Sequence, residues 1–336
     1  MDQYYHLFAI LGFILLYWGT NRFIDGSVAL ARYFSAPPLL IGIVIVGFGT
    51  SSPELFVSVM AAFEGTSQIS LGTTIGSNIT NITLGLGLTA MIIPIKMDKT
   101  LGKTELPIWL GLSILAWWLL SDGLHDQWNG ILLFGFLPFI LILSIRVAMK
   151  TKTIPDEAVN TQLVKEMSLA NSIMYLLVGL ALLTAGSQLL IESGSFIARS
   201  FGISELVIGL TIVAIGTSLP EITASVVGAI KGHHGIATGN IIGSGLFNIT
   251  AVLGLPAIIH PFRSTEEFFV TNYVITGDFP FMLTLIGILL IICLQPKKNV
   301  VISRTVGFGL VISYALYMCF NYLRTYNPEF LTNFSL

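Results

Sequence analysis

Ten runs of mainly apolar residues follow one another along this 336-residue chain, near 5–31, 38–64, 69–95, 104–121, 129–149, 170–199, 205–231, 236–260, 276–295 and 301–324. A bilayer crossing takes roughly 20 such residues, so the pattern predicts an all-α polytopic membrane protein with about ten transmembrane helices. Charged residues are only 10% of the chain, against about 25% in soluble domains, which leaves no sizeable soluble domain. The net charge of −2 gives no reason to expect a nucleic-acid partner. Asp2 opens the chain with no basic stretch behind it, so the first run reads as a retained span rather than a cleaved signal. Cys293 and Cys319 both fall in apolar runs and read as packed thiols.

The longest polar connection, 150–169, divides the chain into a first five-helix unit, 1–149, and a second, 170–336. With the N-terminus outside, the inner loops and span ends hold twelve Lys and Arg residues and the outer ones three, Arg199, Arg263 and Arg324. That bias predicts both termini outside and the 150–169 connection in the cytosol.

The two units repeat each other. Residues 49–54 read Gly-Thr-Ser-Ser-Pro-Glu and residues 216–221 read Gly-Thr-Ser-Leu-Pro-Glu, an offset of 167. The same offset pairs Arg32 with Arg199, Ser58 with Ser225, Gly72 with Gly239, Gly76 with Gly243, Ser77 with Ser244, Asn81 with Asn248 and Pro94 with Pro261. Shared hydrophobicity does not produce matched polar residues, glycines and prolines at one offset. Equivalent positions lie five spans apart, an odd number, so the two copies must cross the membrane in opposite directions. Inverted repeats with interrupted helices mark secondary transporters whose site lies between the copies.

Of the eighteen acidic residues only Glu54 and Glu221 sit clearly mid-span, and they are repeat equivalents. A carboxylate there is costly unless it is paired, protonated or facing a cavity. Pro53 and Pro220 precede them. Proline lacks an N–H and clashes with the carbonyl four residues back, so the helices are expected to break near 49–53 and 216–220, freeing the carbonyls of Gly49 and Gly216. Thr50 with Glu54, Thr217 with Glu221, Ser77 with Asn81, and Ser244 with Asn248 are each four apart, on one helical face. Carboxylate, hydroxyl, amide and carbonyl oxygens without thiolate or duplicated histidine suit a hard cation such as calcium, which takes six to eight oxygens. His233 and His234 beside Lys231 read as a solvated turn. Ser244-Gly245 with His260 raises an intramembrane serine hydrolase, which the repeat twin of Ser244 disfavours.

GTSSPELFVS with LGTTIGSNITNI, and GTSLPEITAS with TGNIIGSGLFNI, closely resemble the two α-repeats of the cation/calcium exchanger superfamily, nearest to the prokaryotic-type sodium/calcium exchangers. The resemblance covers essentially all ten spans. It implies a non-enzymatic secondary antiporter that exchanges Ca²⁺ for Na⁺ by alternating access at one shared site, in a prokaryotic cell membrane, with no cofactor and no protein partner implied. By position it assigns calcium to Glu54 and Glu221 with the carbonyls of Thr50 and Thr217. Sodium sites would be completed by Ser51, Ser77, Ser218, Ser244, Asn81, Asn248 and the carbonyls near Gly47 and Ala214. The first and sixth spans would slide to switch access. The sequence departs from the pattern at Gly245, where the first copy has Asn78, which is expected to loosen that helix. It departs again at Asn248, where some relatives carry an aspartate. Proton-coupled and potassium-dependent cation exchange stand as alternatives.

Overall fold

The computed structural model describes residues 2–67, 69–150, 167–203, 205–263, 274–296 and 300–326. Most of the expected 150–169 connection, with Lys152, Asp156, Glu157, Lys165 and Glu166, lies outside the described residues, as do Lys297 and Lys298.

The chain is nearly all helix. In order it forms α1 (Asp2–Tyr33), a bent pair α2 (Pro38–Thr50) and α3 (Ser52–Phe63), α4 (Ile69–Ile92), α5 (Glu105–Leu120) and α6 (Gln127–Lys150). The second unit repeats this with α7 (Leu169–Ser200), a bent pair α8 (Thr211–Thr217) and α9 (Leu219–Ile230), α10 (His234–Ile259), α11 (Val274–Leu294) and α12 (Arg304–Tyr326). Among the described residues seven helices are individually long and apolar enough to cross a membrane, and counting each bent pair once gives nine. The tenth expected run is α5, whose 16 residues reach about 24 Å at 1.5 Å per residue, short of a hydrocarbon core of about 30 Å.

The bends fall where proline places them. Ser51 separates α2 from α3 at 42° and Ser218 separates α8 from α9 at 53°. Hydroxyls take up the carbonyls that proline releases. Ser52 Oγ donates to the Gly49 carbonyl at 2.7 Å, and Ser187 Oγ of α7 donates to the Gly216 carbonyl at 2.6 Å. Four π-helical turns also recur by repeat: Gly42–Gly47 and Gly209–Val213 precede the breaks, while Asn81–Leu86 and Asn248–Val252 interrupt α4 and α10. Such turns concentrate at functional sites.

α4 and α10 form the buried centre of the bundle. The long helices α1 and α7 run antiparallel against each other on small residues. A Cβ added at Gly19 would stand 2.4 Å from the Leu183 nitrogen, and one at Gly179 would stand 2.3 Å from the Phe23 nitrogen. Two short antiparallel ribbons tie span ends together at opposite ends of the bundle. β1 (Ile95–Met97) pairs with β4 (Val300–Ile302), and β2 (Leu124–His125) pairs with β3 (Phe262–Arg263). The end carrying the N-terminus, β2 and β3 is called the N-terminal face below, and the end carrying β1 and β4 the opposite face.

Candidate cation site

The two breaks meet α4 and α10 around two buried carboxylates. Glu54 is 2% exposed and Glu221 is 0% exposed. Each follows its proline in the first turn of the helix beyond the break, where the helix dipole favours negative charge. The copies are stitched together at this level. Ser51 Oγ of the first donates to Glu221 Oε1 of the second at 2.8 Å. Ser244 Oγ of the second donates to the Gly47 carbonyl of the first at 3.0 Å.

Other polar atoms at this level have no hydrogen-bond partner among the described residues. Both carboxylate oxygens of Glu54, Glu221 Oε2, Ser218 Oγ, both amide atoms of Asn81 and Asn248 Oδ1 are buried and unpartnered. Buried polar atoms in native proteins are nearly always paired, and each unpaired one costs stability. Six of the seven are oxygens, two carboxylates contribute, and calcium takes six to eight oxygens. The donor set therefore fits a hard cation as cargo. Among the described residues no cluster of three His, Cys, Asp or Glu side chains offers a different metal centre.

The remaining expected ligands divide by exposure to a cavity, with members of both repeats in each group. Gly47, Thr50 and Ser244 are sealed in packing. Their twins Ala214, Thr217 and Ser77 line a cavity of about 310 Å³, with Glu54, Val57 and Thr73 on its wall. These lining residues lie on the N-terminal-face side of the breaks. The same glycine positions report the asymmetry. A Cβ at Gly72 or Gly76 would meet nothing within 4 Å, whereas one at Gly239 would stand 2.6 Å from the Leu39 carbonyl oxygen and one at Gly243 2.3 Å from that of Ile43. The passage past the carboxylates is open on one side and closed by backbone-to-backbone packing on the other.

Asn240 is a site residue the sequence reading missed. Fully buried, it donates to the Glu221 carbonyl at 2.9 Å and to Ser225 Oγ at 2.8 Å, and its Oδ1 lies 3.0 Å from Thr50 Oγ1. Its twin is Thr73, so a search for identical pairs passes over it. Asn78 stands out in the sequence only as the counterpart of Gly245. Its Oδ1 accepts from Asn248 Nδ2 at 3.1 Å, which orients the Asn248 amide and leaves Asn248 Oδ1 free.

Two expectations need correction. Gly245 does not loosen α10, because the Trp109 indole fills its place and an added Cβ would fall 2.0 Å from the ring. His233 is not solvated. It is 3% exposed, and burial first, then the neighbouring charges of Lys231 and Arg32, push its pKa down to about 4. The hydrolase geometry does not assemble, since Ser244 Oγ is held on Gly47 and His260 follows the end of α10, about 24 Å along the helix at 1.5 Å per residue.

Two inverted repeats, each broken beside a buried glutamate, define the architecture of a membrane transport protein. A profile of the sodium/calcium exchanger protein family matches residues 4–146 and 171–323, and the chain belongs to that family. It is 33% identical to the inner membrane protein YrbG of Escherichia coli K12 over 89% of this chain and 93% of that protein. It is 29% identical to the sodium/calcium exchanger MaX1 of Methanosarcina acetivorans over 80% of this chain and 87% of that one. The solved structure of the sodium-calcium exchanger NCX_Mj soaked with zero Na⁺ and Ca²⁺ superposes with a TM-score of 0.80 at 28% identity, covering 95% of this chain and 99% of the other. Family and structural neighbours are transporters rather than enzymes.

Proposed function

We propose that the protein is an antiporter that exchanges calcium for sodium across the cell membrane of a prokaryote, binding both ions in turn at one site between the repeats. The observation that carries this reading is the set of unpartnered buried oxygens on repeat-related residues, above all the carboxylates of Glu54 and Glu221. Two carboxylates neutralise one divalent cation. Glu54 and Glu221 with the Thr50 and Thr217 carbonyls hold calcium. Ser51, Ser77, Ser218, Ser244, Asn81 and Asn248, with the carbonyls of Gly47 and Ala214, complete positions for sodium.

Competition for the same carboxylates couples the two gradients without a cofactor. Each ion leaves only when the other can replace it, because the emptied pair repels itself in a poorly solvated site. The excess of Lys and Arg near the opposite face orients the chain with both termini outside, so the cavity opens outward. Access switches when the first and sixth spans, α1 and α7, slide as a pair, closing the N-terminal face and opening the opposite one. Residues 1–149 and 170–336 act as the two repeats, joined by the 150–169 connection.

Calorimetric titration of the purified protein in detergent tests the shared site. Calcium should bind once per chain, and sodium should weaken it competitively. Calcium binding that saturating sodium leaves unchanged would refute a shared site.

A further inference from the structure

The closed and open sides differ in more than packing. On the opposite face Lys231, just past the end of α9, reaches back to α1. Its Nζ lies 2.7 Å from Asp25 Oδ1 and 3.3 Å from the Asn21 carbonyl. The bond joins the long first helix, which rests on α7 through its glycines, to the helix that carries Glu221. Beneath it Asn240 fills the passage with three hydrogen bonds.

The repeat shows what the N-terminal face would place at the same positions. The twin of Asp25 is Glu192 on α7, and the twin of Lys231 is Glu64, just past the end of α3. Both are exposed here, and Glu192 accepts from Gln188 on its own helix at 2.9 Å. If the N-terminal face closed as the opposite face is closed, two carboxylates would meet where Lys231 and Asp25 now attract. Thr73 would stand in the place of Asn240, with one hydroxyl instead of a whole amide. Charge and hydrogen-bonding capacity favour the same closure.

We propose that Lys231, through its ion pair with Asp25, is a positioning residue that holds the opposite face shut. Its twin Glu64, set against Glu192, denies the N-terminal face an equivalent clasp, so the carrier rests open on the N-terminal side. This rests on the exchange reading above, in which both closures occur in one cycle. The consequence is functional asymmetry from a symmetric fold: calcium meets an open site on one face and must wait for the clasp to part on the other.

Val57 and Ala224 are repeat twins that report the two states. Val57 lines the cavity at 50% exposure, while Ala224 is 0% exposed. A cysteine introduced at either position, with Cys319→Ser and the buried Cys293 retained, would be labelled by a soluble maleimide in the full-length protein. Lys231→Gln should raise the labelling rate of Ala224→Cys and lower that of Val57→Cys, on the order of two- to fivefold for a partly exposed pair. Lys231→Arg should leave both rates unchanged, and the exchanged pair Asp25→Lys with Lys231→Asp should restore them. Glu64→Lys, which gives Glu192 a partner, should shift labelling the same way as Lys231→Gln and carries the test if that variant does not fold. In transport, both variants should lower the KM for calcium on the opposite face and raise it on the N-terminal face. Labelling rates unmoved by Lys231→Gln or Glu64→Lys would overturn the clasp. Calcium should itself change both rates in the protein with Lys231 intact. Absence of that response would instead remove the exchange reading.

Discussion

Glu54 and Glu221 are twins in sequence, yet they have different company: Ser51 donates to Glu221, while Glu54 has both oxygens unpartnered among the described residues. Their value lies in charge, so an amide of the same shape is the informative change. Glu54→Gln or Glu221→Gln should weaken calcium binding by at least about a hundredfold, since losing one member of a buried charge set costs about 3–5 kcal/mol. The melting temperature should stay near that of the unsubstituted protein. Calcium titration and thermal unfolding together check this, and near-normal binding would make the pair structural. Asn248 presents an amide oxygen without charge. Exchange should therefore persist in potassium-free medium, where loss of sodium-driven calcium uptake would contradict the assignment. Much of the candidate site is legible at this scale. Ser77 with Asn81 and Ser244 with Asn248 follow one another along α4 and α10, whereas Thr50 and Thr217 end one helix and Glu54 and Glu221 begin the next, across the bends that Pro53 and Pro220 mark. Asn240 and Asn78 are not legible, because their roles come from contacts with the other copy and their twins, Thr73 and Gly245, differ in kind.

At the scale of the element, two repeat-related pairs of glycines, Gly72 and Gly76 of α4 and Gly239 and Gly243 of α10, separate stability from transport. Gly243→Ala should destabilise the protein by about 1–3 kcal/mol, because its Cβ would meet backbone that cannot step aside. Gly76→Ala should leave stability within about 0.5 kcal/mol, as its Cβ would meet open space. The proposed alternation would bring Gly76 to the packing Gly243 now has, so Gly76→Ala should still abolish transport. Thermal melts alongside vesicle flux check the pair, and a Gly76→Ala protein with full transport would contradict the alternation. The connection between α9 and α10 carries a pH dependence. His233 has its pKa lowered to about 4, against about 6.5 in the unfolded chain. Between these values the unfolded chain binds the extra proton, so His233 contributes full stability above about pH 6.5 and loses it as pH falls toward 4. Replacing it by Gln should narrow the drop in melting temperature between pH 7 and pH 5. The helices and their two breaks were readable from apolar runs and proline. The π-helical turns and the short ribbons were not. No side chain announces an extra residue in a helical turn, and strands of two or three residues take their order from the ends they join.

For the whole molecule the controlling fact is that two inverted repeats pack asymmetrically, open on one face and closed on the other. Sequence shows the duplication and, through the odd span count, its inversion. It cannot show which face is open, because that is a property of one conformation. The structure adds that Gly72, Gly76 and Ser77 of α4 line a cavity shared by residues of both copies, while their twins Gly239, Gly243 and Ser244 of α10 are packed against the first copy. A symmetric sequence pattern thus yields an asymmetric carrier, and inverting that asymmetry is the proposed transport step. Protons would compete for the same carboxylates, so the driving ion discriminates between the exchange modes. The direct test is calcium uptake into vesicles containing the purified protein, with either a sodium gradient or a proton gradient imposed. The account predicts saturable calcium uptake driven by internal sodium, abolished by Glu54→Gln, and little net uptake from a proton gradient in sodium-free vesicles. Brisk, saturable uptake driven by protons without sodium would contradict it.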